Sequence, residues 1–282
     1  MSRLIALLTD YGYTDTYVAQ VKAVLLSLCP ACEILDLTHG VAPQNVRSGA
    51  YQLATATPYL PDGTIVIAVV DPGVGTTRRA IAVKAVRHMY LAPDNGLLSL
   101  ALRDDPPVQA VSLDNPRYHL PDVSSTFHGR DIFAPCAAHL ANGVPIDRLG
   151  TPVEIASLVQ LPDITPEFAG DVIRCKPLHI DHFGNVVFNL RRTDRNARAT
   201  LTLLLQPSGV VLGQECPSDA LRTDRNVRAT PLPLVRTFGE VAWGEPLAYW
   251  GSSGYLEVAI NGGSAAEQLG IGYESVLEVR TV

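Results

Sequence analysis

The first half of the chain alternates apolar segments of two different periods, and this alternation limits the folds that it can adopt. Runs such as 64–70, rich in β-branched residues, favour buried strands, whereas 14–28 and 46–56 carry apolar residues at helical spacing. Strands that alternate with helices predict a mostly parallel sheet with helices on both faces. We therefore expect an N-terminal α/β domain.

The pattern changes after about Leu149. Prolines at positions 152, 162 and 166 interrupt a stretch with little periodicity, which we interpret as a linker. Strand-like segments predominate beyond it, at 171–190, 199–205, 209–212, 246–250 and 255–260. The sequence thus predicts an α/β domain over residues 1–158 and a smaller, mostly β domain over residues 167–282.

Composition excludes several classes of protein. A chain of 282 residues that is 47% hydrophobic and 18% charged can bury a large core, so it is not intrinsically disordered. The net charge of -6 and the lack of a basic block argue against nucleic-acid binding. No apolar run reaches the roughly 18 residues of a membrane helix, and no signal peptide is evident. We expect a cytoplasmic protein with no nucleic-acid or membrane partner.

Two local features suggest other chemistry. Cys29 and Cys32 resemble a CxxC redox pair, but they follow a helical segment rather than a strand, so we expect ordinary thiols. No second Cys/His pair lies at zinc-finger spacing.

A nine-residue segment, 192–200, recurs almost unchanged at 222–230. Two copies are too few for a solenoid, which leaves either a local duplication with exposed basic loops or a contact surface for an anionic partner.

Polar residues follow several predicted strands, where open α/β sheets place their ligands. Asp10 lies in the motif TDYG, Asp71 begins DPGVGT, and Asp94 and Asn95 lie in APDNG. Each has a structural alternative, because a lone Asp can cap a turn and Asp-Asn-Gly is ordinary turn chemistry. The glycines at 73 and 75 lack the third glycine of a dinucleotide fingerprint and join two strands, so a dinucleotide cofactor is not expected.

One group of three residues, Asp71, Arg78 and His128, is harder to explain by a purely structural role. Asp71 emerges from a buried strand, and Arg78 is close enough in sequence for a short loop to fold it back beside that carboxylate. His128 precedes a predicted helix, whose N-terminal dipole disfavours the imidazolium form. An acid, a permanent cation and a neutral imidazole can hold and deprotonate a water molecule. The alternative is that Asp71 and Arg78 form a plain ion pair.

The second domain carries two polar motifs. The first is HIDHFGN at 179–185, and the second is the turn GSSG at 251–254. His179, Asp181 and His182 invite a metal ion, but neighbouring residues on one strand point to opposite faces, so no metal site is expected.

These motifs together resemble one family. The matching segments are TDYG, DPGVGTTRR, APDNG, STFHGRDIFAP, HIDHFGNVVFN and GSSGYLEVAIN, in this order along nearly the whole chain. They are similar to S-adenosyl-L-methionine (SAM) hydroxide adenosyltransferases, or SAM hydrolases, which are relatives of the SAM-dependent fluorinase and chlorinase. The resemblance implies an N-terminal α/β domain, a C-terminal β-barrel-like domain, and a homotrimer that binds SAM between subunits. The implied reaction converts SAM and water into adenosine and L-methionine, with no cofactor because SAM is the substrate.

The resemblance also implies residue roles. The water-activating Asp, Arg and His correspond to Asp71, Arg78 and His128, and the ribose-binding aspartate corresponds to Asp10. Asp181 corresponds to the residue that receives the methionine amine. The remaining candidate substrate-binding residues are Phe183 and Asn185 for adenine, Ser252 for the methionine carboxylate, and Asp94 and Asn95. No metal ligand is implied.

Two other functions remain open. Halogenases of this group carry tyrosine and threonine where this chain has Asp71 and Val74, a longer insertion before the APDNG-like motif, and often Ser-Arg where it has Ser252-Ser253. Because a carboxylate at the attack position repels halide and binds water, we favour hydrolysis over halogenation. A non-catalytic SAM or adenosine sensor is the third possibility.

Overall fold

The computed structural model describes residues 3–194, 201–206 and 230–281. The chain divides into two compact units, 1–161 and 162–282. The division lies within the proline-interrupted stretch that we interpret as a linker. The duplicated segment lies almost entirely outside the described residues, as does the predicted strand 209–212.

The first unit is built on a six-stranded sheet. Its strands are β1 (Arg3–Thr9), β2 (Cys32–Thr38), β3 (Ile65–Val69), β4 (Ala80–Ala85), β5 (Met89–Pro93) and β6 (Pro107–Ser112). Their order is β2-β1-β3-β5-β4-β6, in which β2, β1, β3 and β5 run parallel and β4 is antiparallel to both its neighbours. The predicted mixed α/β fold with a mostly parallel sheet is confirmed.

Helices cover both faces of this sheet. They are α1 (Tyr17–Leu28), α2 (Val46–Ala56), α3 (Ala101–Asp104) and α4 (Ala134–Ala141). Side chains of α1 and α4 share a core cluster with Ile5 and Leu7, whereas Gly49 of α2 lies against Val70 on the other face. Because β3 is sandwiched in this way, all five of its residues are buried, which explains its continuous apolar sequence.

Two helices differ in detail from what the sequence predicts. Apolar spacing predicts a short helix over 97–102, and the structure has the single turn α3 a few residues later. The sequence also predicts a helix over 131–142 that ends before Gly143, and the structure has a π-helical turn, Gly129–Phe133, followed by α4. Pro135 lies directly after the π-helical turn, as the second residue of α4, a position near a helix start where proline is common.

The described residues of the second unit form two antiparallel sheets. Its strands are β7 (Glu167–Ala169), β8 (Val172–Cys175), β9 (Pro177–Ile180), β10 (Val186–Arg191), β11 (Leu201–Gln206), β12 (Thr230–Leu232), β13 (Pro246–Trp250), β14 (Tyr255–Ile260) and β15 (Val276–Thr281), with one short helix, α5 (Ala265–Gln268). The sheet orders are β13-β14-β10-β9 and β12-β11-β15-β8-β7. A core that includes Phe188 and Val279 joins the two sheets. The described strands form two open sheets and no closed barrel.

The cysteines that the structure describes are all free and buried. Cys29 ends α1 and Cys32 begins β2, so the pair does not open a helix as a redox motif does. Burial raises the pKa of the Cys32 thiol and, to about 12, that of Cys136. Reactive cysteines have lowered pKa values, so these thiols fit a structural role. Among the described residues, no helix has the length and apolar character to cross a bilayer.

Candidate active site

The register of the central strands brings Asp10 and Asp71 to the same edge of the sheet. Strands β1 and β3 pair in parallel with Thr9 opposite Val69, so both carboxylates follow at neighbouring strand ends. The Gln44 backbone N–H donates to Asp10 Oδ2 at 2.8 Å. Burial raises the pKa of Asp10, and the negative charge of Asp71 adds to the effect. The two acids therefore repel each other at this edge.

Arg78 returns to Asp71 across a short loop. Its Nε lies 3.0 Å from Asp71 Oδ2 and 3.1 Å from Oδ1, and its Nη2 donates to Oδ2 as well. Both side chains are almost buried, with 10% of Arg78 and 6% of Asp71 exposed. At this burial the guanidinium neutralises the carboxylate directly, because little solvent screens the pair.

A glycine allows this loop to close. Gly75 has a φ of +77°, which favours glycine, and a Cβ there would lie 2.5 Å from the carbonyl oxygen of Ser125. The loop from Asp71 to Arg78 therefore lies directly against the segment that leads to His128. This approach brings residues 50 positions apart into one cluster.

His128 completes the cluster. Its Nδ1 lies 2.9 Å from Arg78 Nη2. A guanidinium can only donate, so Nδ1 must accept, and a neutral ring then carries its proton on Nε2. Burial lowers the pKa of His128, and the positive charge of Arg78 lowers it further, so the ring is neutral at pH 7. His128 also immediately precedes the π-helical turn, and such turns are frequent at functional sites.

A buried acid holds the segment before His128. The Oδ2 atom of Asp131 accepts from the Ser124 backbone N–H at 2.9 Å and from its hydroxyl at 2.7 Å. The Ser124 hydroxyl in turn accepts from the Phe127 N–H at 3.0 Å. Asp131 is fully buried and also pairs with Arg130. It therefore sets the path of the chain up to His128.

Sequence reasoning did not single out Tyr11, although this residue belongs to TDYG. Its hydroxyl lies against Gly129, where a Cβ would overlap it, and its ring packs edge-on against Phe127 with centroids 5.6 Å apart. Burial raises the pKa of Tyr11, and the charges of Asp10 and Asp71 contribute in the same direction. The phenol thus remains a neutral hydrogen-bond group beside both acids.

Asp94 and Asn95 have structural partners. Asp94 accepts from Arg79 Nε at 2.8 Å and from the Val159 backbone N–H at 2.9 Å. The Asn95 side-chain amide donates to the Val70 carbonyl oxygen at 2.8 Å. Asn95 therefore anchors its turn to the residue that precedes Asp71, and a direct contact of either residue with a ligand stays a prediction.

In the second unit, the turn between β9 and β10 gathers Asp181, Phe183 and Asn185. Asp181 Oδ1 accepts from the backbone N–H groups of Phe183 and Asn185, and Oδ2 accepts from the Asn185 side chain, all at 2.9 Å. Gly184 adopts a φ of +80° and lies so close to Ser264 that no side chain would fit. The turn is therefore closely packed, and three donors hold the Asp181 carboxylate.

A cavity of about 570 Å³ opens beside this turn. Asp181, Phe183 and Asn185 line it together with Phe238 and Ile260. The Phe183 side chain is 74% exposed, which leaves its ring free to stack on a flat ligand. The cavity combines aromatic surface with a carboxylate and an amide, the usual composition of a small-molecule site.

Ser252 lies exposed in the turn between β13 and β14. Beneath this turn lies Glu257, which our sequence analysis missed. Its carboxyl group fills the space that a side chain at Gly251 would need, and Tyr249 donates a hydrogen bond of 2.5 Å to its Oε2. Burial raises the pKa of Glu257, and the charge of Asp181 adds to the rise.

Among the described residues, no three His, Cys, Asp or Glu side chains are grouped closely enough to ligate a metal. His179 and His182 therefore do not form a metal cluster with Asp181 in the described part of the chain. A further cavity of about 800 Å³ opens in the first unit near Gly63 and Met89, at the amino ends of β3 and β5. It contains none of the predicted site residues.

The chain is a two-unit protein: an α/β unit carries the Asp71–Arg78–His128 cluster at its strand ends, and a β unit follows it. Family models match both units. Residues 5–150 match the SAM hydroxide adenosyltransferase N-terminal domain, and residues 176–278 match the corresponding C-terminal domain. The chain belongs to the SAM hydroxide adenosyltransferase family.

Individual relatives support this assignment. An (R)-S-adenosyl-L-methionine hydrolase from Thermus thermophilus is 44% identical over 95% of this chain and 96% of its own length. A second protein of that name, from Salinispora tropica, is also 44% identical, over 95% of this chain and 94% of its own. A fluorinase from an Actinoplanes species is 29% identical over 92% of this chain and 91% of its own.

Solved structures show the same fold. A conserved protein from Thermotoga maritima superposes with a TM-score of 0.81 at 31% identity, over 98% of this chain and 99% of that one. A conserved protein from Thermus thermophilus gives 0.76 at 41% identity, over 99% of this chain and all of that one.

Proposed function

We propose that this chain hydrolyses SAM to adenosine and L-methionine by in-line attack of water on the ribose C5′ carbon. The observation that carries the proposal is the buried cluster in which Arg78 bridges Asp71 and a neutral His128. The hydrolases that are 44% identical to the chain support the same reaction. The sequence identity between the fluorinase relatives and this chain is lower.

The reaction needs a positioned nucleophile more than it needs an acid. The sulfonium of SAM leaves as a neutral thioether, so no group has to protonate it. Holding the reacting atoms ~3–3.5 Å apart contributes roughly 7–11 kcal/mol to lowering the barrier. A positioned base adds about 10²–10⁴-fold. Contacts to ribose, adenine and methionine therefore matter as much as the base.

Asp71 is the better proton acceptor of the cluster. The Nδ1 atom of His128 is occupied by Arg78, and its Nε2 carries the proton of the neutral ring. That N–H can donate to the water oxygen, whereas the Asp71 carboxylate can accept the water proton. The Arg78 guanidinium is a permanent cation, and it stabilises the Asp71 carboxylate until that group accepts the proton.

The remaining residues bind the substrate in this proposal. Asp10 accepts hydrogen bonds from the ribose hydroxyls, Phe183 stacks on adenine, and Asn185 forms a hydrogen bond with the edge of the adenine ring. Asp181 receives the methionine ammonium, and Ser252 contacts the methionine carboxylate. Phe183 and Asn185 line the 570 Å³ cavity, which supports their assignment to the base.

Asp94 and Asn95 complete the proposed substrate-binding set from the APDNG turn. The anchoring of Asn95 to Val70, next to Asp71, supports a role in aligning that turn with the site.

We further propose that the enzyme is a metal-independent homotrimer with its sites at subunit interfaces. The chemistry supports metal independence, because the neutral thioether leaving group needs no Lewis acid. Light scattering after gel filtration should give three times the mass of 30.3 kDa. The cytoplasmic location stays a prediction.

Purified protein incubated with SAM should release adenosine and methionine in equal amounts, because a single C5′–S bond is broken. Chromatography with mass detection measures both products, and an excess of chelator should leave the rate unchanged. Added chloride or fluoride should yield no 5′-halo-5′-deoxyadenosine. A halogenated product would establish a halogenase, and tight SAM binding without any product would establish a sensor.

The rate should change less than about twofold as the pH falls from 8 to 6.5. Burial and the charge of Arg78 lower the pKa of His128 from the ordinary value of a histidine, so most of the rings are still neutral at the lower of these pH values. At a pH below that lowered pKa, Nδ1 of His128 is protonated and can no longer accept a hydrogen bond from Arg78. The imidazolium and the guanidinium are then two adjacent positive charges, so kcat/KM should fall. His128→Gln should lose this acid limb, and a limb centred above pH 6.5 would contradict the assignment.

A further inference from the structure

The loop that carries Asp10, residues 9–13, is docked onto the end of β2 by side chains that the proposed reaction does not use. The Thr9 hydroxyl lies 2.7 Å from His39 Nδ1. The Gly12 backbone N–H donates to the His39 carbonyl oxygen at 2.8 Å. The Tyr13 ring packs edge-on against the His39 ring with centroids 5.2 Å apart. Three residues of one short loop therefore meet a single histidine.

An acid orients that histidine from its other side. His39 is 99% buried, and its Nε2 lies 3.2 Å from Asp36 Oδ1. The two buried atoms are in charge contact but do not form a hydrogen bond of good geometry, and neither has another such partner among the described residues. The second oxygen of Asp36 accepts from Lys22 Nζ at 2.6 Å and from the Tyr13 hydroxyl at 3.2 Å. The carboxylate is therefore held in place as well.

The directions of these contacts follow from donor and acceptor chemistry. The negative Asp36 oxygen 3.2 Å from Nε2 favours the His39 tautomer with its proton on Nε2, in which Nδ1 accepts from the Thr9 hydroxyl. Burial lowers the pKa of His39 and keeps the ring neutral, consistent with this tautomer. The Thr9 oxygen then accepts from the Tyr11 backbone N–H at 3.2 Å. One directed chain runs from Asp36 through His39 and Thr9 to the Tyr11 backbone.

The last two members of this chain, Thr9 and Tyr11, flank Asp10 in the sequence. Thr9 precedes it and Tyr11 follows it, so both flanking residues are tied to His39, directly or through one hydrogen bond. Burial raises the pKa of Asp10, and the charge of Asp71 adds a smaller contribution in the same direction, so the ionised carboxylate gains from a fixed position. The backbone N–H of Gln44 donates to the carboxylate itself, whereas the Thr9 and His39 contacts hold the residues on either side of it.

We propose that Asp36, His39 and Thr9 form a positioning relay that holds Asp10 in the orientation that binds the ribose. The relay rests on the proposed function, since it serves the ribose contact assigned to Asp10. Its members do not touch the substrate. They act through Asp10 and are positioning residues.

The test compares Thr9→Val, which keeps the shape and removes the hydroxyl, with Thr9→Ser, which keeps the hydroxyl. Thr9→Val should raise the adenosine Kd and the KM for SAM about tenfold, which corresponds to the loss of one well-placed hydrogen bond, and should change kcat less. Thr9→Ser should restore both values. Thr55→Val, which removes a hydroxyl bonded within α2, is the matched control and should bind like the wild type.

Calorimetric titration with adenosine and steady-state kinetics with SAM supply these values. If Thr9→Val does not fold, Asp36→Asn decides, because that half-buried position tolerates an isosteric change and the same loss of affinity is expected. An unchanged adenosine Kd in the folded variant overturns the relay while wild-type hydrolysis leaves the proposed function standing. A wild-type protein that neither hydrolyses SAM nor binds adenosine overturns both.

Discussion

Replacing Asp71 with asparagine is expected to lower kcat for SAM hydrolysis by about 10²–10⁴-fold, the usual contribution of a positioned base. Asparagine has the same shape and can still accept a hydrogen bond from Arg78, but it cannot take a proton from water. SAM should still bind within a few-fold of the wild-type affinity, because ribose, adenine and methionine contacts lie elsewhere. Single-turnover kinetics and calorimetric binding separate the two effects.

Asp62 provides the matched control for this variant. It also pairs with an arginine, Arg87, but it is 76% exposed and lies outside the Asp71 cluster. Asp62→Asn should therefore leave kcat and KM unchanged. An Asp71→Asn enzyme that keeps more than about a third of the wild-type kcat would remove Asp71 from the role of base, because even the lower limit for such a group is about 10²-fold.

Replacing Arg78 with methionine is expected to lower both stability and turnover. Removing one partner of a buried ion pair leaves an uncompensated charge, which costs about 3–5 kcal/mol. His128 also loses the donor that sets its tautomer, so the rate should fall even where the protein is folded. Arg78→Lys keeps a charge but loses the planar fork that reaches Asp71 and His128 together, and it should lose less stability than rate.

Thermal denaturation and activity at a temperature where each variant is folded measure the two losses separately. Arg87→Met is the control, since it removes an exposed ion pair with Asp62, which contributes about 0–1 kcal/mol, and a hydrogen bond to the Leu60 carbonyl oxygen, and it should leave kcat unchanged. The bridging role of Arg78 would be wrong if Arg78→Lys were as active as the wild type, because a single ammonium cannot reproduce both contacts.

The local pattern of the sequence was enough to select Asp71, Arg78 and His128 as candidates for one cluster. A carboxylate directly after a run of buried strand residues is unusual, and a loop of six residues places Arg78 within reach of it. The dipole argument for a neutral His128 also needs only the following helix. Both the plain ion pair and the larger cluster were possible from spacing, and the structure contains the ion pair as part of the cluster.

The supporting residues could not be found in this way. Thr9 and His39 are 30 positions apart, and Glu257 is a lone acid in an apolar strand with no pattern around it. Tyr11 looks like any partly exposed aromatic residue until its hydroxyl is seen against Gly129. Their roles depend on which side chains meet after folding.

The sequence by itself determined the order of strands and helices, the change to β structure after the linker and the polar residues at the strand ends, because periodicity and turn chemistry are local properties. The tertiary structure alone decided which of those strand ends lie side by side, which ring nitrogen of His128 carries the proton and which contacts restrain Asp10. Those properties depend on strand register, burial and contacts between distant residues, and each of these exists only once the sheet has formed.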